Sequence, residues 1–109
     1  MEDMSYTSVD PQIQDWARRH SLYLFTSFEG RETRFAYVSS LMGECFQIWI
    51  QAPANGRVRT QALCIEGRRE DEPPQEWLVD VADLETTLER IWQTVLSWME
   101  PSNPLPKKT

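Results

Sequence analysis

Apolar positions fall into a helical period at the two ends of the chain and into strand-like runs between them. Near the start, Ile13, Trp16 and Ala17 stand at i, i+3 and i+4 while Gln12, Gln14, Asp15, Arg18 and Arg19 are free to face water, which predicts a short amphipathic helix. Asp10 followed by Pro11 reads as its N-cap and first helical residue, with the end near His20. Toward the other end, Val81, Leu84, Leu88, Ile91, Val95 and Trp98 or Met99 recur every three or four residues, the stripe of a long helix lying across a sheet. Asp80 is its expected cap, Asp83 suits its first turn, and Pro101 stops it.

Five strand-like runs lie between the helices. Leu22–Phe28 and Thr33–Ser39 flank the turn Glu29-Gly30-Arg31-Glu32 and predict a hairpin, with Phe35 and Tyr37 alternating with Ala36 and Val38. Cys45 to Ile65 predicts a second hairpin about Pro53-Ala54-Asn55-Gly56, since Asn-Gly readily takes the positive φ values of a type I′ turn. With Asn55 and Gly56 as the two turn residues, Phe46 opposes Ile65 and Ile48 opposes Leu63, and Cys45 and Cys64 lie diagonally. A four-residue loop of Pro53 to Gly56 instead opposes Ile48 to Gln61 and Ile50 to Arg59, which wastes the core face. Trp77–Val79 is the fifth strand. The expected fold is a two-layer α+β domain over residues 10–100, with a short helix, a five-stranded antiparallel meander and a long helix on the sheet. Residues 1–9 read as a flexible tail, and 101–109 as a Pro/Lys-rich one.

Composition narrows function more than it names it. At 109 residues, 40% hydrophobic and 26% charged, the chain can bury one core without disulfides or metal. Two cysteines are too few for a disulfide scaffold, no apolar run is long enough to cross a membrane, and the first ten residues lack a secretory pattern, so reduced thiols and a cytoplasmic location are expected. The net charge of -6 disfavours nucleic acid and favours a basic partner protein. That charge is local: residues 1–65 hold seven acids and six bases, whereas residues 66–100 hold ten acids and three bases.

Catalytic and metal chemistry find few residues. His20 is the sole histidine, and a residue at a helix C-terminus is its simplest reading. Cys45 and Cys64 lack C-x-x-C spacing, Glu70-Asp71-Glu72 lacks the spacing of a calcium loop, and no phosphate-binding glycine loop is present. No catalytic, cofactor-binding or metal-binding residue is assigned. Trp49 points away from Phe46, Ile48 and Ile50, so it shares the sheet's second face with Gln47, Gln51 and Thr60; cover by the first helix is the alternative to exposure there. The candidate partner-binding residues are therefore Trp49, Gln47 and Gln51 together with the acids Glu70, Asp71, Glu72 and Glu76.

Over residues 10–100 this layout, the acidic last third and the scarcity of catalytic residues resemble the cytoplasmic immunity proteins that neutralise bacterial toxins. The resemblance lies in architecture and charge, involves no sequence motif and transfers no family residue. It implies a non-catalytic inhibitor that occludes a basic toxin, with the acids from Glu66 to Glu89 steering encounter and an aromatic anchor setting residence time. The chain also looks like a type III secretion chaperone, which implies a homodimer holding an effector segment. That family has a helix between its third and fourth strands, where this chain has Pro53–Gly56. A third reading is a small ligand-binding domain or enzyme with a pocket between sheet and helix.

Overall fold

The computed structural model describes residues 6–100. Helix α1 (Asp10–Arg19) leads into strands β1 (Phe25–Phe28), β2 (Arg31–Ser39), β3 (Cys45–Ile50), β4 (Arg57–Glu66) and β5 (Gln75–Asp80), then a 3-10 turn (Val81–Asp83) and helix α2 (Leu84–Met99). The strands form one antiparallel sheet in chain order, so the expected α+β meander is the observed fold.

Both helices cover the same face of the sheet. Ile13, Trp16 and Ala17 of α1 and Leu84, Leu88, Ile91 and Val95 of α2 close over Phe46, Ile48, Ile50, Val58 and Ala62 in one buried cluster. Tyr6 and Val9, which the pattern assigned to a tail, belong to this core. The Tyr6 hydroxyl donates to the Ile50 carbonyl at 2.8 Å, and burial pushes its pKa above the ordinary phenol value. The proposed tail at 101–109 lies outside the described residues.

Neither predicted cap forms. Val9 occupies the N-cap of α1, and the Asp10 carboxylate instead takes both prongs of the Arg34 guanidinium, at 2.8 and 3.0 Å. Arg34 is a buried charge on the helix side of β2, stacked 4.3 Å over the Tyr6 ring, so a paired carboxylate there outweighs an ordinary cap. Asp80 likewise makes no capping bond and approaches Arg57 at 3.6 Å. Gln12 of α1 serves the start of α2 in its place: its Nε2 donates to the Val81 carbonyl at 3.0 Å and its Oε1 accepts from the Glu85 amide at 2.9 Å.

The β3–β4 turn is as expected, but the register is not. Asn55 and Gly56 both have positive φ, and Ala54 and Arg57 exchange backbone hydrogen bonds across them. An extra residue near Pro53, which has no N–H to give the ladder, then slips the pairing by one, so Phe46 opposes Cys64 and Ile48 opposes Ala62. A second irregularity beside Ile65 restores the original count, setting Cys45 against Glu66. A one-residue slip exchanges the faces of a strand. Val58, Thr60, Ala62 and Cys64 therefore point to the helices, while Gln61, Leu63 and the exposed Ile65 lie on the other side. Thr60 is buried under the helices and not beside Trp49, and the two cysteines face opposite sides of the sheet.

Candidate functional site: the open face of the sheet

With both helices on one side, the opposite face of the sheet has no covering layer among the described residues. Directly opposed residues share a face in antiparallel sheets. The register then sets Phe25, Phe35, Trp49, Gln61 and Glu76 in one row across all five strands of the open face. Three consecutive members of that row are aromatic and stack: Phe25 on Phe35 at 4.9 Å and 7°, Phe35 on Trp49 at 4.7 Å and 9°.

Other rings close around the stack. Phe28 meets Phe35 and Trp49 edge-on, Tyr37 meets Phe25 and Phe35 edge-on, and Tyr23 meets Phe25 edge-on. Offset-stacked and edge-to-face arrangements are those the ring quadrupole favours. Phe35 is consequently only 3% exposed although no helix covers it. The cluster buries its centre with its own periphery, and the periphery is left open: Tyr23 is 74%, Phe28 48% and Tyr37 41% exposed. Leu78 and Ile65 extend the apolar surface over β4 and β5. Five of the seven exposed large hydrophobic side chains of the described residues thus belong to this face; Leu41 and Met42, in the β2–β3 connection, lie beside Met99 of α2 instead.

Several polar groups on the β4–β5 half of this face are paired. Arg59 donates to Glu76 at 3.0 Å and Gln61 Nε2 donates to the other Glu76 oxygen at 3.0 Å; these two donors, the Gln61 bond first, hold the Glu76 carboxyl below its ordinary pKa. Arg57 lies beside Asp80.

The structure divides the candidate residues into two groups. Gln47, Trp49 and Glu76 share the open face, Trp49 and Glu76 in a single row, and Gln51 follows β3 beside Arg59 through a 2.9 Å backbone bond. Glu70, Asp71 and Glu72 stand apart, in the β4–β5 connection at the end of the sheet where β3 begins. Glu72 is engaged by Arg69 at 3.2 Å, whereas Glu70 and Asp71 make no ion pair among the described residues. Tyr23, Phe25, Phe28, Phe35, Tyr37 and Leu78 complete the surface and escaped the sequence reading. Phe35 and Tyr37 carried a signal, since an antiparallel β2–β3 pair places one of the two β2 parities beside Trp49, but choosing the parity requires the register.

The same end of the sheet is tied to α2 by Glu44. This buried carboxylate accepts from the Arg68 amide at 3.0 Å and from its guanidinium at 3.2 and 3.3 Å, and the guanidinium hydrogen bonds hold Glu44 below the usual carboxylate range. Arg68 also donates to the Trp98 carbonyl at 2.9 Å.

The residues considered for chemistry are held in structural contacts. His20 stacks on Trp92 at 4.3 Å, and its Nε2 lies 2.9 and 3.0 Å from the two oxygens of Glu89. Burial works against the Glu89 carboxylate, but bonds from Arg19 and His20 overcome it and lower its pKa. Burial raises the pKa of the Cys64 thiol. Among the described residues, no group of three or more His, Cys, Asp or Glu side chains is placed to hold a metal ion, and no helix is long and apolar enough to cross a membrane. Open grooves line the edges of the sheet, one of about 590 Å³ between Gln51, Asn55, Arg57, Arg59 and Leu78. No family model, no curated protein and no solved structure matches the chain, so the site stands on its geometry alone.

Proposed function

We propose that the chain is a non-catalytic protein-binding module that uses the open face of its sheet as the contact surface and its acidic loop to attract a basic partner. The observation that carries this reading is the gathering of Tyr23, Phe28, Tyr37, Ile65 and Leu78, all exposed, on one sheet face that neither helix covers, around a stack of rings. Contiguous exposed apolar surface of this kind marks contact sites in soluble proteins. Aromatic anchors already held by their neighbours lose little side-chain freedom when a partner arrives. Glu70 and Asp71, which make no ion pair among the described residues, act at longer range from the end of the sheet and raise the encounter rate with a positively charged surface.

Inhibition of a toxin by occlusion is the form of binding that this division suits best: the acids set approach and the rings set residence time. The test is co-expression of the chain with the protein encoded immediately upstream. A basic protein should co-purify in a complex that weakens as salt rises, lose its activity on binding, and be released by Tyr37→Lys with the fold intact. An upstream product that neither binds nor is inhibited would overturn the toxin assignment.

A further inference from the structure

We infer that, when no other protein occupies it, the open face is covered by a second copy of this chain, giving a symmetric dimer packed sheet on sheet with the helices outside. The inference rests on the reading of that face as a protein-contact surface and names its resting occupant.

Charge is the first argument. A chain of net charge -6 resists self-association on most of its surface. The open face is the exception. Its strand residues include Arg31 opposite Phe28, Arg57 opposite Asp80, Arg59, Glu76, and Glu66 opposite Cys45. Three arginines against three carboxylates cancel, so the excess of six negative charges resides elsewhere, on the helices, the connections and the termini. Two copies meeting through this face bring together an extended neutral surface and turn the excess acids outward.

Size is the second argument. Five strands about 4.8 Å apart, with about six residues each at about 3.3 Å per residue, give a footprint of roughly 24 by 20 Å. That is about 480 Å² in plan, to which the projecting side chains of Tyr23, Phe28, Tyr37 and Leu78 add, in the range of the smaller specific interfaces and below the roughly 800 Å² per partner of a standard one.

Shape is the third. Stacked sheets sit about 10 Å apart and align within about 30°. A two-fold axis running along β3, the central strand, lays the aromatic half of each copy over the β4–β5 half of the other. Phe28 then comes beside Leu78 and Arg59 at one end of the sheet and Tyr37 lies over Leu63 at the other, supplying cation–π and apolar contacts that the isolated chain lacks.

The test is sedimentation equilibrium of the purified chain from about 5 to 500 μM, a range that resolves dissociation constants in the micromolar region. The wild-type chain should reach twice its 12.8 kDa mass, and Tyr37→Lys and Leu78→Lys should each weaken association at least about tenfold. Circular dichroism should show both variants folded, and Arg18→Glu, on the outer side of α1, should leave the dimer unchanged. A wild-type chain that stays monomeric to the top of the range overturns the inference, as does a dimer that both lysine variants preserve. Failure here is separable from failure of the functional reading: a monomer that still binds the upstream protein through Tyr37 sinks the dimer alone, whereas a partner indifferent to Tyr37 sinks the contact-surface reading.

Discussion

The Phe35 and Trp49 rings lie nearly parallel, 9° apart with centroids at 4.7 Å, on neighbouring strands of a sheet face that no helix covers. A nearly fully buried phenylalanine in that position depends on the rings around it, so the open face has a small core of its own. Phe35→Ala should remove about 3–5 kcal/mol of stability, as for a phenylalanine in a main core. Tyr37→Lys, at the periphery, should stay within about 1 kcal/mol of wild type. Urea denaturation of the two variants checks the contrast, and equal losses would deny the cluster its separate centre.

Asp10 distinguishes a cap from a buried ion pair. Loss of an N-cap side chain costs about 1 kcal/mol, whereas removing one partner of a buried pair costs about 3–5 kcal/mol because the other charge is stranded. With Arg34 buried and held at 2.8 and 3.0 Å, and the exposed Glu32 at 3.2 Å its remaining carboxylate, Asp10→Ala should cost more than a lost cap, about 2–4 kcal/mol by chemical denaturation.

Gly67 is required twice over. Its φ is +140°, and a Cβ there would stand 2.7 Å from a Glu44 carboxylate oxygen and 2.8 Å from its Cγ. Gly67→Ala should therefore displace Glu44 from Arg68 and lower stability by about 1–3 kcal/mol. A variant as stable as wild type would show that the Glu44–Arg68 link carries no weight.

Acid should loosen the fold through the same link. Glu44 and Glu89 have folded pKa values below the ordinary carboxylate value, so each contributes stability that is present above that value, about 4.3, and is lost as pH falls through the lower folded one. Thermal melts should hold steady near neutrality and drop below about pH 4. Glu44→Gln should show lower stability at pH 7 and a shallower acid decline than wild type.

Much of the fold was legible because local pattern and tertiary packing agree. The α2 stripe, the alternation of Phe46, Ile48 and Ile50, and the Asn55-Gly56 turn each specify one outcome in short range. What the pattern missed depends on distant contacts. The slip beside Pro53 and its reversal beside Ile65 exchange the faces of β4 without changing its composition. Asp10 has the sequence of a cap, and only the approach of Arg34, 24 residues on, assigns it elsewhere. Trp49 was recognisable as turned from the core, but its companions Phe25, Phe28 and Tyr37 come from other strands, and their assembly needs both helices on the opposite side. The acids Glu70 to Glu72 were readable as a charge run; their distance from Trp49 was not.

The central claim is that the open aromatic face is covered by protein when the chain is at work. Hydroxyl-radical footprinting of the chain in its native cells, against the purified chain diluted to a monomer, reads this directly. Strong protection of Tyr23, Phe28, Tyr37 and Leu78 is expected in the cell, with Tyr6 and Trp16 unreactive in both samples. Equal labelling of the four open-face residues in both samples would contradict it.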